Sequence, residues 1–251
     1  DQTLRVITFI EKRHPEFNGL NLCWESLEGI VKHNGIIKKK VPFHIKEYNQ
    51  IHNLNLDHQP HLESQIASIS DDIAYNNHDV EDAIRAGLIK IDELNEINFF
   101  KEITYEIKNR YKKISENHLI YQILRKSISI MIYDIYHNTK KNLQQFEINS
   151  IPSIRKHSNF LVSMSEKMNE NCSTIKEFLF ENVYNHKNLM IKRKRAEQII
   201  IKLFDYYKIN YNKLPEDWEK IKTANEDRNI CDYISGMTDR FALSLYNSIY
   251  E

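Results

Sequence analysis

Glycine and proline are scarce in this chain, and each accounts for only 5 of the 251 residues. Phosphate-binding loops of the Walker or Rossmann type need several glycines at fixed spacing, and no such pattern occurs here. Glycine and proline are also the residues that most often interrupt helices. Their scarcity therefore excludes nucleotide binding through a glycine-rich loop, and it favours helices.

Cysteine is scarce too, and Cys23, Cys172 and Cys231 lie far apart. Their spacing fits neither a disulfide framework nor a CxxC metal site. No segment approaches the ~18 uninterrupted apolar residues that a membrane span requires. The 35 basic and 35 acidic side chains cancel, so composition predicts no positive field of the size that nucleic acid needs. We expect a cytoplasmic protein without a membrane or nucleic-acid partner.

The apolar residues recur at intervals of three and four, which predicts an all-α fold. We expect a single domain over residues 1–251. Because the chain begins without methionine and enters a helical pattern at once, we also expect it to be truncated at its N-terminus. Residues 34–59 are predicted to form a long loop. The predicted helices cover about 2–13, 23–33, 60–77, 79–87, 92–113, 116–145, 159–169, 174–185, 190–208, 216–222 and 228–249.

One polar stripe stands out on the helix predicted at 60–77 and its continuation. Asp71, Tyr75 and Asp79 are spaced by four, so each is displaced by only about 40° around a helix axis from the one before. Surface acids are often paired with Lys or Arg four residues away. In this stretch no Lys or Arg follows until Arg85. A divalent cation is the simplest compensation for this charge.

Two other patterns involve histidine. His58 and His61 could bind a transition metal, but Pro60 lies between them and the surrounding run resembles a loop, so we favour a surface or helix-capping role. The dipeptide His78-Asp79 resembles a metallohydrolase motif. Adjacent residues point about 100° apart on a helix, so His78 is interpreted as a packing or solvent-exposed residue.

A basic run, Lys192–Arg195, precedes an apolar helix face. A solvated or subunit-facing helix start is the interpretation we favour. The alternative is a phosphate-binding patch for an effector nucleotide or nucleic acid, because an anion would offset the unfavourable placement of basic residues near a helix N-terminus.

The sequence resembles the bacterial deoxyguanosine triphosphate triphosphohydrolase-like proteins of the HD-domain superfamily over essentially its whole length. Three blocks carry this resemblance, and the second and third are specific. They are Gln2–Val6 with Gly19–Leu22 and Trp24–Gly29; Leu62–Gln65 with Asp71–Asp79; and Cys231–Arg240.

The resemblance implies a multi-helical HD-domain-type bundle with a C-terminal helical extension. It further implies hydrolysis of a deoxynucleoside triphosphate, dGTP or another, to a deoxynucleoside and tripolyphosphate. A divalent metal, Mg²⁺, Mn²⁺ or another transition metal, would polarise the phosphate and acidify water. Asp71 matches a metal ligand, Tyr75 a residue near the sugar, and Asp79 the acid that binds the 3′-hydroxyl. Tyr184 matches a tyrosine that closes the sugar pocket, and Lys176 a basic substrate contact.

The remaining metal ligands and the proton-transfer residues of this family precede the block that Gln2–Val6 matches. We therefore expect no catalytic residue in this span, weak or absent metal binding, and no activity from these residues alone. The alternative is a catalytically inactive relative with a regulatory or oligomer-forming role. The resemblance also implies a homo-oligomer, with a nucleotide effector as a possible further partner.

Overall fold

A computed structural model describes residues 1–219 and 225–250. Internal contacts divide the chain into two compact units, Asp1–Leu179 and Phe180–Glu251. The single domain expected from the sequence stays a prediction. Within the described residues the only β-type pairing is an isolated bridge between Lys12 and Gly19, which confirms the all-α prediction. None of the helices in this part of the chain is long and apolar enough to cross a membrane.

The helices of the first unit are α1 (Gln2–Arg5), α2 (Trp24–Val31), α3 (Phe43–Ile51), α4 (Leu62–Arg85), α5 (Asn98–Arg110), α6 (Glu116–Gln145), α7 (Ile151–Lys156) and α8 (Glu166–Leu179). A π-helical segment, Val6–Ile10, continues α1, and a 3₁₀ turn, Glu93–Glu96, precedes α5. The helices of the second unit are α9 (Lys187–Ile209), α10 (Glu216–Glu219), α11 (Glu226–Ser235) and α12 (Asp239–Tyr250). A π-helical segment, Phe180–Tyr184, precedes α9, and a 3₁₀ turn, Tyr211–Lys213, follows it.

Helix α4 lies at the centre of the first unit, where it packs against α2, α6 and α8. Its inward residues recur at helical spacing and pack into the core of the unit. In the same core, α5 packs against α6. Fully or nearly fully buried members of this core are Val80, Ala83, Phe100, Ile103, Ile123 and Met131. The helix that carries the predicted polar stripe is thus held by several neighbours.

Helix α4 is continuous, so the predicted division near residue 78 is wrong. The sequence Asn76-Asn77 resembles a turn, but both side chains are buried. The Asn77 amide donates to the carbonyl oxygen of Ile73 at 2.7 Å. Because this buried amide is hydrogen-bonded within the helix and no glycine or proline occurs between residues 62 and 85, the helix continues without a break.

The predicted loop at 34–59 is also wrong in part, because it contains α3. This helix is mostly polar and buries only Ile45, so its sequence gives a weak periodic signal. Its N-terminus is held from a distance: the Asp1 carboxylate accepts from the backbone N–H groups of His44 at 2.8 Å and Ile45 at 3.3 Å. A tertiary contact therefore supplies what the local sequence lacks.

Several other predicted helix boundaries need correction. The predictions at 159–169 and 174–185 are replaced by the single helix α8, in which Cys172 and Ile175 are buried. The predicted helix 228–249 is divided between α11 and α12, and the first of these ends at Ser235 with Gly236 as its C-cap. Helix α9 confirms the prediction at 190–208. Of the predicted helix at 216–222, residues 220–222 lie outside the described part of the chain.

In the second unit, α9 packs against α11 and α12. Its buried residues, Ile199, Leu203 and Tyr207, are four apart and form a single apolar stripe. The Tyr207 ring meets the Tyr233 ring edge-on, with centroids 5.3 Å apart. Burial raises the pKa of Tyr207 well above its usual range, so this phenol stays neutral and acts as a core residue.

Candidate functional site

The polar stripe predicted from the sequence lies on the outward side of α4. Asp71 is exposed, and the Tyr75 side chain is 66% exposed. Asp79 is half-buried at the same side of the helix. The opposite side is occupied by Ile73, Val80 and other core residues. A carboxylate and a phenol are therefore presented to the outside by a helix whose other side is fixed in the core.

Lys176 of α8 reaches the acidic segment of α4. Its ammonium group donates to Asp72 Oδ1 at 2.9 Å, and both side chains are about half exposed. No basic residue precedes Arg85 along α4 to compensate these acids, but α8 supplies one to Asp72. Asp71 makes no ion pair with any described residue. The charge that still lacks a basic partner is thus the one predicted to face a metal.

Cys172 of α8 and Asn76 of α4 lie near this ion pair, and both are buried where the two helices pack together. Burial raises the pKa of the Cys172 thiol, and the nearby Lys176 lowers it by less. A buried thiol with a raised pKa is a poor nucleophile. Cys172 is therefore a packing residue at the base of the candidate site.

Tyr184 belongs to the second unit, where it ends the π-helical segment that precedes α9. Its side chain is 42% exposed. The next helix begins after His186, whose ring accepts from the backbone N–H of Asn188. Tyr184 therefore lies at an exposed junction just before a capped helix.

The structure confirms a helix-capping role for His61. Its Nδ1 atom accepts from the Ser64 N–H at 3.3 Å, and its Nε2 atom lies 2.9 Å from the carbonyl oxygen of Glu25. These two contacts fix the first turn of α4 against α2. His58 lies in the preceding segment and pairs with Asp57 at 2.8 Å. His78 is exposed, with Glu81 at 3.8 Å.

A buried ion cluster that was not predicted from the sequence lies beside this cap and is formed by Glu28, Lys32 and Arg155. Glu28 and Lys32 are fully buried, and their charged atoms are 2.6 Å apart. Arg155 of α7 approaches the other carboxylate oxygen at 3.5 Å and lies over the Trp24 ring. Burial lowers the pKa of Lys32, and the hydrogen bond with Glu28 opposes that effect. The spacing of four hinted at this pair, but nothing in the sequence indicated that it is buried.

Gln65 was also not predicted from the sequence to have a particular role. It is completely buried in the first turn of α4. Its side-chain oxygen accepts from the backbone N–H groups of Leu161 at 2.8 Å and Val162 at 3.1 Å, while its amide donates to Pro60. Gln65 therefore joins the start of α4 to the segment that leads into α8.

A divalent metal needs several ligands in a fixed geometry. Among the described residues, no group of three or more His, Cys, Asp or Glu side chains comes close enough together to hold one. Asp71 can supply one carboxylate. The described residues therefore do not form a metal site by themselves, and the further ligands of any metal at Asp71 must come from elsewhere.

The basic run Lys192–Arg195 lies in the first half of α9, and every residue from 191 to 198 is exposed. Eight consecutive helical residues cover more than two turns, so all sides of this stretch face solvent. The four basic side chains make no ion pair with described residues. This arrangement fits the solvated interpretation and leaves the phosphate-binding alternative open.

Comparison of the sequence with known proteins identifies the family of the chain. Residues 162–248 match the family model of a phosphohydrolase-associated domain. Deoxyguanosinetriphosphate triphosphohydrolase-like proteins match nearly the whole chain. The protein from Rickettsia felis is 40% identical over 252 residues, which cover 99% of this chain and 66% of the relative. The protein from Rickettsia canadensis is 39% identical and has 99% and 67% covered.

The chain belongs to the deoxyguanosinetriphosphate triphosphohydrolase-like family of the HD superfamily. It spans about two thirds of the length of the relatives it matches, 66% in the case of the Rickettsia felis protein. About a third of each relative therefore has no counterpart among these residues.

Proposed function

We propose that this chain forms part of a metal-dependent hydrolase that converts a deoxynucleoside triphosphate, dGTP or another, to a deoxynucleoside and tripolyphosphate. The observation that carries the proposal is the outward stripe on α4, in a chain that is 40% identical to the Rickettsia felis relative. Asp71 and Tyr75 are exposed on a helix that neighbouring helices hold in place. An active site needs such fixed and accessible groups.

Asp71 is the residue that we assign to the metal, which would be Mg²⁺, Mn²⁺ or another divalent ion. Because the described residues supply only this carboxylate, we assign the other ligands and the proton-transfer groups to the third of the relatives that has no counterpart here. Residues 1–251 alone are then expected to be inactive. When bound, the metal would polarise the α-phosphate.

We assign substrate contacts to Tyr75, Asp79, Tyr184 and Lys176. Asp79 would accept from the 3′-hydroxyl, Tyr75 would pack near the sugar, and Tyr184 would exclude a 2′-hydroxyl. Lys176 now donates to Asp72, and a triphosphate would compete with that half-exposed carboxylate for the ammonium group. Exposed ion pairs are weak, so such an exchange would cost little.

The decisive experiment uses the full-length polypeptide and compares Asp71→Asn with Asp72→Asn. We expect Asp71→Asn to abolish Mn²⁺- or Mg²⁺-dependent release of tripolyphosphate and to lower the metal content. Asp72→Asn should keep turnover, because it removes only an exposed partner of Lys176. Full activity in the Asp71 variant would overturn the assignment.

The alternative function is that of an inactive regulatory or oligomer-forming relative. The observation that favours it is the absence of a three-ligand group among the described residues. A full-length protein that binds deoxynucleoside triphosphates but releases no tripolyphosphate with any divalent ion would support this alternative. We further propose a cytoplasmic homo-oligomer that also binds a nucleotide effector.

A further inference from the structure

A cavity of about 430 Å³ lies between α5, α6 and the start of α8 in the first unit. Part of its lining is apolar: Phe99, Ile103 and Met168 are buried, and Ile130 is half-buried. Cavities that bind small molecules have volumes of about 300–1,000 Å³ and combine apolar surface with a few polar groups. None of the residues that line this cavity belongs to the polar stripe on α4. The cavity is therefore large enough for a small ligand outside the candidate active site.

All three helices contribute carboxylates to the lining of this cavity. They are Glu102 and Glu106 of α5, Asp134 of α6 and Glu170 of α8. Among the described residues that line the cavity, Lys167 is the only cation. Unlike charges attract and like charges repel, so the lining would repel a nucleotide and attract a cation. The cavity thus favours a positively charged ligand.

Two of these carboxylates have no basic partner within the described part of the chain. Glu102 and Glu170 are exposed, and neither forms an ion pair with a described residue. Glu106 differs from them, because it pairs with Lys126 of α6 at 2.8 Å. Glu102 and Glu170 lie on different helices, so a ligand in the cavity can meet a carboxylate on each of two sides.

The carboxylate of Asp134 is fixed in position on the α6 side of the cavity. It accepts from the backbone N–H of Ser165 at 2.8 Å and from the Ser165 hydroxyl at 2.6 Å. Both donors are neutral, so they hold the carboxylate without cancelling its charge. A group that is already fixed loses less conformational freedom when a ligand binds. Asp134 therefore offers a third, preorganised negative charge.

The acids of this cavity are too far apart to hold one metal ion together. Among the described residues, no three His, Cys, Asp or Glu side chains come close enough for that. Glu102 and Glu106 are four residues apart on α5, which separates them by about 6 Å along the helix axis. A cation whose charges are spaced along a chain can pair with several such carboxylates at once. The arrangement therefore favours an extended polycation over a compact ion.

We propose that this cavity, defined by Phe99, Glu102, Ile130, Asp134 and Glu170, binds a linear aliphatic polyamine. The protonated amines of such a molecule are separated by three or four methylene groups, a distance close to one helical turn of about 5.4 Å. Its ammonium groups pair with the carboxylates. Its methylene groups cover the apolar lining, as the stem of a lysine side chain covers apolar surface. Charge, spacing and apolar area thus agree in one ligand class.

The test is isothermal titration calorimetry of the full-length polypeptide with spermidine at low salt. Glu102→Gln/Glu170→Gln should weaken binding about tenfold, because it removes two ion pairs but keeps the size of both side chains. Both side chains are exposed, so the fold should be kept, as circular dichroism can verify. Butane-1,4-diamine should displace spermidine better than Mg²⁺ does, since both carry two positive charges but only the diamine is extended.

Two further variants separate binding in the cavity from attraction to a negative surface. Ile130→Phe narrows the cavity and leaves every carboxylate in place, and it should also weaken binding. Glu116→Gln/Glu177→Gln removes two negative charges from exposed positions of α6 and α8 that do not line the cavity. This matched control should leave the affinity unchanged.

Four results would overturn the polyamine site. They are no binding of spermidine, an equal loss of affinity in the control variant, unchanged affinity in a folded Ile130→Phe variant, and displacement by Mg²⁺ as effective as that by the diamine. A pentalysine peptide provides one more comparison. If it bound more tightly than spermidine and responded to the same variants, the occupant would be a protein segment and the proposal would be wrong.

Discussion

Helix α4 has two regions that differ in the environment of their polar side chains. At its start, His61, Ser64 and Gln65 are bonded to groups from α2 and from the segment before α8. In its middle, Asp71 and Tyr75 are exposed on the outward side. The first region fixes the helix, and the second presents polar groups to solvent. The difference shows how one helix can be anchored at one end and accessible a few turns later.

The two regions also differ in how much their charges should matter for stability. Glu28, beside the anchored end, is fully buried between Lys32 and Arg155. The acids in the exposed region remain solvated. Removing one member of a buried pair leaves an uncompensated charge, whereas exposed pairs contribute little. Three predictions test the contrast between the anchored start and the exposed middle of α4, in order of decreasing effect.

The largest effect is expected for Glu28→Ala, which leaves Lys32 buried without its carboxylate. We expect the free energy of unfolding to fall by about 3–5 kcal/mol. Urea unfolding followed by tryptophan fluorescence measures this change. Trp24 lies against Arg155 in the first unit, so a Trp218→Phe background restricts the signal to that region.

The matched control for that measurement is Glu25→Ala on the same helix. Its side chain is exposed, and its contact with His61 uses only the backbone carbonyl. We expect a change within about 0.5 kcal/mol. If the two variants were equally stable, the buried ion cluster would not be the anchor of this region.

A smaller loss is expected for Gln65→Leu. Leucine preserves most of the volume but leaves the buried N–H groups of Leu161 and Val162 without their acceptor. Unsatisfied buried donors should lower the free energy of unfolding by about 2–3 kcal/mol. The same unfolding assay applies, with the exposed Gln144→Leu as control. A result equal to the control would mean that water replaces the lost acceptor.

The smallest effect concerns the exposed region, where Asp72 pairs with Lys176. A double-mutant cycle with Asp72→Asn and Lys176→Gln should give a coupling energy of about 0.2–1 kcal/mol. Added salt should reduce it further, because exposed charges are screened. A coupling above that range would indicate that the middle of α4 is anchored as firmly as its start.

Helical periodicity allowed the main helices and the outward stripe to be predicted, because Asp71, Tyr75 and Asp79 share one side of any regular helix. It could not locate α3, whose N-terminus is held by Asp1 across 43 positions. Nor could it reveal the ion pair between Asp72 and Lys176, which are separated by 104 positions. Local spacing specifies which residues share a helix side, but the partner of a charge is decided by tertiary packing.

Gly29 of α2 lies directly against the anchored end of α4. A Cβ atom at this position would lie 2.8 Å from His61 Nε2 and 3.1 Å from Ser64 Cβ. Even alanine would therefore push the capping ring off the carbonyl of Glu25. Asp71 lies about 15 Å from His61 along the helix axis, so a small tilt of the first turn would displace its carboxylate. A single methyl group at position 29 would therefore shift the outward side of α4 without contacting it.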